Sequence, residues 1–441
     1  MNKNPLSSTS VPGGELLTRA RRAVWSWAIY DFANSAFTTL VVTFVYSAYF
    51  VRGIASSGTV GTAQWSTAIT ITALTVAFSS PILGAIADRG GYRKRLLLVA
   101  TVVAIAATAV LFIPVQGEVV FALTVFVIAN ISFETANVFY NAYLPDLATS
   151  VRIGRISGYG WALGYAGGLL CLVLALVGFV QTETPWFGFS TDAGANIRAT
   201  NLLVAVWFAV FSIPMFLWVP DRAAREIGGV PSIVRGAFKQ LSATFSDIRR
   251  FRQTFRMLLA RLVYNDGLVT IFAFGGIYAA ETFDFSFGEV IIFGIVLNVF
   301  AGVGAFAFGF IDDRIGGRNT ILITIVGLTA MTLIAVFAQT KTALWIAGVF
   351  IGLLVGPNQS ASRSLLGRFI PDDRENEFYG FFAFSGKATA FLGPVLLGQL
   401  TLAFDSQRYG VAVVALLFVA GGLLLLRVNE EEGVQASGRS R

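Results

Sequence analysis

The sequence of 441 residues contains no histidine. Imidazole metal ligands and imidazole proton relays are therefore excluded, and any proton chemistry within the chain falls to carboxylates. There is one cysteine, Cys171, inside an apolar run, so no disulfide can form within the chain. Charged residues are also scarce, at 13%, where a soluble domain carries about 25%. No Gly-rich phosphate loop followed by Lys is present, and no grouping of nucleophile, metal ligands or cofactor motif stands out. The sequence thus reads as a non-enzyme that needs no cofactor and no metal. The net charge of +7 does not indicate nucleic acid. The basic residues lie in short connections between apolar runs, which is the pattern of membrane topology.

What the chain has in excess is apolar surface: 55% hydrophobic residues, with 40 Phe and 45 Gly. About 20 apolar residues cross a bilayer core. Runs of that kind fall at 25–50, 66–87, 96–114, 119–142, 158–181 and 199–219, then at 256–280, 287–310, 320–339, 343–362, 379–403 and 410–427. Residues 1–22 are polar, end in Arg19, Arg21 and Arg22, and are expected to be a disordered start. The next run is too long for a signal peptide and shows no small-residue cleavage site, so it reads as an uncleaved first span. A basic linker, 220–255, separates a half at 23–219 from a half at 256–428, and the charged tail 429–441 is expected to be loose. Of the 32 Lys and Arg, Arg52, Arg198, Lys341 and Arg408 fall in the outer connections, Arg261 and Lys387 fall inside spans, and the rest lie on the inner side. That asymmetry predicts both termini in the cytoplasm.

Between the second and third spans the chain reads Gly84, Asp88-Arg89, Gly91, Arg93. The pattern returns 225 positions later as Gly309, Asp313-Arg314, Gly316, Arg318. Pro145-Asp146 and Tyr159-Gly160 return as Pro371-Asp372 and Tyr379-Gly380. A pattern repeated across half the chain indicates duplication. Gly84 and Gly309 let helices approach closely. Asp88 and Asp313 are placed to accept hydrogen bonds from a neighbouring helix N-terminus, and the arginines to pair with acids on adjacent loops. This loop resembles the inner-loop signature of the major facilitator superfamily, as does the layout of six spans, basic loop and six spans. The resemblance implies an all-α membrane protein of twelve transmembrane helices, in two six-helix halves related by pseudo-twofold symmetry. It also implies that Gly84, Asp88, Arg89, Arg93, Gly309, Asp313, Arg314 and Arg318 gate the inner side, and that spans one, four, seven and ten line a central cavity.

Ionisable residues inside spans are costly and mark pathways. Asp31, Glu134, Arg261, Asp266 and Lys387 are of this kind. Asp31, Asn34, Ser35 and Thr38 form one helical stripe, and Asn130, Glu134, Asn137 and Asn141 form another. Tyr264, Asn265 and Asp266 stand in the second half where Tyr30 and Asp31 stand in the first. The five charges are expected in one layer on the cytoplasmic side of the midplane. Asp31 with Lys387 and Glu134 with Arg261 are the structural pairings to consider, and the unmatched carboxylate, Asp31 or Glu134, would carry a proton. Gly356-Pro357 is expected to break the tenth helix and free carbonyls near Asn358 and Gln359 for a small polar ligand, or else to form a plain kink.

Two stretches are more specific. Trp27-x-x-Tyr30-Asp31-x-Ala33-Asn34-Ser35-x-Phe37 and Ser157-Gly158-x-Gly160-x-x-x-Gly164-Tyr165-x-Gly167-Gly168 resemble the branch containing the fungal vacuolar effluxer linked to autophagy and its bacterial relatives. The second also resembles the antiporter motif of the superfamily, with Tyr165 where that motif has Pro. The resemblance implies a monomeric secondary transporter in the bacterial cytoplasmic (inner) membrane. It would move a small solute, neutral amino acids, by alternating access with proton coupling. The competing reading is an exporter of hydrophobic drugs or metabolites by proton antiport, its cavity lined by some of the 40 Phe; a sensor that binds without flux is a third.

Overall fold

A computed structural model describes residues 13–221, 230–246 and 250–438. The first span runs as an α-helix over Gly13–Ala36 and continues in wider π turns, Phe37–Phe44 and Phe50–Ile54. Gly58–Gly90, Arg93–Val110, Val119–Asn141, Ile153–Ala175 and Ala195–Trp218 complete the first half. The second half comprises Arg252–Phe283, Phe287–Ile315, Gly317–Phe337, Lys341–Phe369, an eleventh span in two pieces (Glu375–Lys387 and Leu392–Phe404), and Gln407–Leu426. Among the described residues, eleven of these spans are long and apolar enough to cross a membrane. The third, Arg93–Val110, opens on Arg93-Lys94-Arg95 and completes the twelve.

The halves meet in a way that repeats with the duplication. The second span packs along the eleventh, and the eighth packs along the fifth. Close approach at both seams depends on the repeated glycines. A Cβ on Gly84 would lie 2.2 Å from the Asn376 carbonyl oxygen, and one on Gly309 would lie 2.9 Å from the Arg155 Cα. Backbone-to-backbone packing of this kind replaces the hydrophobic driving force that lipid does not supply.

Several sequence expectations change. Residues Gly13 to Arg22 are helical and continuous with the first span; residues 1–12 lie outside the described residues. The linker contains a helix, Val230–Ser246, and the seventh span begins at Arg252; 222–229 and 247–249 lie outside the described residues. The linker helix is amphipathic. Ile233, Ala237, Gln240, Leu241 and Thr244 are buried along one face, which packs on the second span. The tail also forms a helix, Glu430–Ser437, capped by Asn429 and held to Arg252 and Gln253 through Glu432. Its Glu430 accepts from the backbone N–H of Gly317 and of Arg318, closing the N-terminus of the ninth span; residues 439–441 lie outside the described residues.

The tenth helix is not broken at Gly356-Pro357. It runs unbroken over Lys341–Phe369. Proline removes one donor, and the carbonyl left over, that of Leu353, faces Gly304 of the eighth span, where a Cβ would lie 2.0 Å away. The orphan carbonyl is thus packed against a neighbouring backbone and is not offered to a ligand. Gly304→Val is expected to force the eighth and tenth spans apart, at about 1–3 kcal/mol, and to lower the melting temperature of the detergent-purified protein. Gly275→Ala, where nothing lies within 4 Å of the new Cβ, should leave it unchanged or higher.

Candidate functional site

The repeated loop acts at two helix N-termini. Asp88 Oδ1 accepts from the Asn376 N–H at 3.1 Å and from its side-chain amide at 2.7 Å, and Oδ2 accepts from the Glu377 N–H at 2.9 Å. These groups open the eleventh span. Asp313 Oδ1 accepts from the N–H of Gly154 at 2.9 Å and of Arg155 at 3.3 Å, where the fifth span opens, and Oδ2 meets Arg155 Nε. Each carboxylate of one half therefore satisfies orphan donors of the other, where the helix dipole favours negative charge. The arginines differ. Arg93 stays within its own half, on Asp146 at 2.6 Å and the Ala142 carbonyl at 2.9 Å. Arg318 reaches the Leu426 carbonyl at 3.0 Å. Arg89 donates to Gln240 of the linker helix at 3.1 Å, and the Gln240 amide donates in turn to Glu377. Arg314 lines a groove beside the terminal helix.

Further into the membrane region the halves are tied by Arg363, a residue that the sequence reading assigned to the connection after the tenth span. It lies inside that helix and is 97% buried by side-chain area, the exposed remainder being 3%. Nη1 donates to Asp31 at 3.0 Å and to Asn141 at 3.2 Å. Nε donates to the Ser157 hydroxyl at 3.0 Å and Nη2 to the Ser157 carbonyl at 2.7 Å. The guanidinium lies over Trp27, with its carbon 4.9 Å from the ring centroid. One side chain of the second half thus binds the first, fourth and fifth spans. The pairings considered from sequence are replaced: Asp31 meets Arg363 and not Lys387, and Glu134 meets Lys387 at 2.7 Å and not Arg261. Asn34 donates to Asn137 at 3.1 Å, joining the first and fourth spans beside them.

Arg261 has a different setting. Its Nη1 donates to the Phe382 carbonyl at 2.7 Å and the Ser385 hydroxyl at 2.9 Å, and its guanidinium stacks 3.6 Å from the Phe382 ring. Among the described residues no carboxylate pairs with it. It opens onto a cavity of about 70 Å³, enough for ordered water. Asn141 and Trp161 of the first half and Asn265, Asn358, Gln359 and Arg363 of the second contribute to the wall. Gln359 accepts from the Tyr165 hydroxyl at 2.7 Å, and the Asn358 side chain donates to Thr324 at 2.9 Å while its amide oxygen, Oδ1, is buried without a partner.

Not every expected residue reaches this cavity: of the five intramembrane charges, Arg261 is the one among its lining residues. Tyr30, bonded to Thr101 at 2.6 Å, and Tyr264, bonded to Ser362 at 2.8 Å, are core residues of their halves. Asn130 is buried in the fourth span, and Asp266 is buried against Gly393. Asp312, beside Asp313, is buried on Arg368 at 2.7 Å. Arg363 and Trp161 were missed. The signal for Arg363 was its position four residues after Gln359, on the same helical face.

The described hydrogen bonds between the halves lie toward the face that carries both termini, so the helices are drawn together there. Two six-helix halves related by pseudo-symmetry, latched at one face around an interfacial polar cavity, define a membrane transporter of the major facilitator type. Solved structures agree on the fold. A bacterial homologue of the iron transporter ferroportin in an outward-facing state superimposes with a TM-score of 0.69 at 13% identity, over 93% of this chain and 98% of that one. The proton:xylose symporter XylE gives 0.67 at 12% identity, over 96% and 98%. Within that class the chain belongs to the family described as "Vacuole effluxer Atg22 like", which matches residues 63–154 and 149–438. It is similar to the MFS-type transporter YxiO of Bacillus subtilis, with 30% identity over 93% of this chain and 96% of that protein. Autophagy-related protein 22-1 of Penicillium rubens shares 24% identity over 63% of this chain, which spans half of the fungal protein's length. YxiO is named as an MFS-type transporter, and with the family match the chain is a membrane transporter of that type and not an enzyme.

Asp31→Asn strands the Arg363 charge and is expected to cost about 3–5 kcal/mol. The double variant D31N/R363M removes both charges and should recover most of that loss in a denaturation titration. Equal stability of the single and double variants would contradict the pairing.

Proposed function

We propose that this protein is a secondary active transporter of small polar solutes, neutral amino acids foremost. It works as a monomer by alternating access with proton coupling in a bacterial cytoplasmic membrane, with both termini in the cytoplasm. The inner-side excess of Lys and Arg supports the orientation. On that reading the conformation described here is closed to the cytoplasm, with Asp88, Asp313, Arg363 and Lys387 as the closing contacts.

The observation that carries the substrate class is Arg261. A guanidinium inside a span without a carboxylate partner is expensive to maintain, and a solute carboxylate supplies the missing charge. Arg363 is already matched by Asp31, so the cavity retains one positive charge in excess. Asn265, Asn358 and Gln359 offer amide oxygens to an ammonium group, while Leu268, Phe382 and Trp161 offer apolar surface. A zwitterion meets all three. A lipophilic cation would meet like charge, which weighs against the drug-exporter reading. At about 70 Å³ the cavity holds waters and not an amino acid, so loading requires the second and first halves to separate there.

Wild-type protein in proteoliposomes is expected to accumulate L-leucine under an imposed pH gradient, without competition from lipophilic cations. Arg261→Ala should reduce uptake by roughly ten- to hundredfold, the value of ~1.5–3 kcal/mol for a charge-assisted hydrogen bond, with little change in melting temperature. Arg261→Lys keeps the charge, loses the planar fork and should fall between. Transport of lipophilic cations in place of amino acids would move the function to drug export.

A further inference from the structure

The eleventh span is interrupted between Lys387 and Leu392. An interrupted helix in a membrane frees backbone donors and acceptors that need partners, and one short stretch of the seventh span provides them. Asn265 donates to the Gly386 carbonyl at 3.1 Å, in the last turn before the break, and Arg261 reaches the Phe382 carbonyl one turn earlier at 2.7 Å. Thr389, inside the break, donates to the Leu262 carbonyl at 3.1 Å. After the break, Asp266 Oδ2 accepts from the Gly393 N–H at 3.0 Å, in the first turn of Leu392–Phe404.

A second observation concerns the same carboxylate. Asp266 is 2% exposed, and its other oxygen, Oδ1, is buried with no hydrogen-bond partner. The other intramembrane acids differ, since Asp31 has Arg363 and Glu134 has Lys387. Several charged and titratable groups on the surrounding elements are engaged elsewhere. On the seventh span itself Arg261 is turned to Phe382 and Ser385, and the Tyr264 hydroxyl meets Ser362. Lys387 and Arg363, on the eleventh and tenth spans, hold Glu134 and Asp31. Leu392–Phe404 has no charged side chain, and the one on Gln407–Leu426, Arg408, donates to the carbonyls of Val336 and Ala338. On the eighth span Glu289 pairs with Lys341, Asp312 with Arg368 and Asp313 with Arg155, and Glu432 of the terminal helix meets Arg252.

We propose that Asp266 is the proton-binding site of the transport cycle, and that the half-helix Leu392–Phe404 senses whether it is occupied. The proposal rests on the proton-coupled reading above and assigns the proton to a residue other than Asp31 or Glu134. With the half-helix docked, its N-terminal N–H and dipole compensate the carboxylate charge. When the half-helix moves away that compensation is lost, and Asp266 takes a proton on Oδ1 from the facing aqueous phase. Redocking returns the proton to the opposite phase. Linkage makes the effect reciprocal, so protonation in turn favours the undocked arrangement.

Asp266→Asn keeps an oxygen for the Gly393 N–H and removes the titration, so the variant should fold and melt close to wild type. Infrared difference spectra of the purified full chain, acidic minus alkaline, should show a protonated-carboxyl band in wild type. That band should be reduced in D266N, retained in the conservative D266E and unchanged in the Glu134→Gln control. In proteoliposomes with L-leucine as the probe, D266N should lose gradient-driven accumulation far more than exchange at equal pH. An undiminished band in D266N, or gradient-driven accumulation intact in D266N, overturns the proposal. If wild type moves no leucine, the amino-acid reading fails, and the infrared comparison still decides the assignment of Asp266.

Discussion

A guanidinium buried among membrane helices has to be met on every side, and at Arg363 the partners come from both halves of the molecule. Asp31 supplies the charge, Asn141 and Ser157 complete the hydrogen bonding, and Trp27 covers the face. Neither half offers a stable environment for these groups alone, because a lone buried charge costs several kcal/mol. The closed terminus-bearing face follows from that constraint. The seams at Gly84 and Gly309 bring the helices within reach, Asp88 and Asp313 satisfy the N-termini that meet there, and Arg363 fixes the depth at which the halves converge.

The duplication has been kept unevenly. Asp88 and Asp313 do equivalent work on opposite halves, down to the paired backbone N–H groups they accept from. Their companion arginines have diverged, with Arg93 inside a pair with Asp146 and Arg318 on the end of the twelfth span. The cavity is uneven as well. Most of its polar wall comes from the second half, while the first half contributes mainly Asn141 and Trp161. A symmetric frame therefore carries an asymmetric site.

Much of the architecture could be read in the chain. Twelve apolar runs and a repeated Gly-Asp-Arg loop suffice for the class, because the bilayer leaves few options for a polar backbone. The stripe Asp31–Asn34 and the stripe Asn130–Asn141 were legible because helical periodicity places them on single faces. The pairings were not. Asp31 and Arg363 are far apart in sequence, and hydropathy ends the tenth span before Arg363, since a window cannot tell a loop arginine from one neutralised inside the protein. The helix Val230–Ser246 was hidden in the same way: its basic residues marked a linker, while Ile233, Ala237 and Leu241 formed the buried face.

That linker helix changes what kind of machine the chain describes. Gln240 accepts from Arg89 in the first half and donates to Glu377 in the second, and Thr244 donates to Glu377 beside it. The covalent tether between the halves is thus also a clasp laid across their seam. Parting the halves at this face is then a three-body rearrangement, in which the linker helix must be withdrawn before the two halves can separate. A barrier of that kind sits outside the solute pathway, so turnover speed can be tuned by changes in the linker that leave solute recognition untouched.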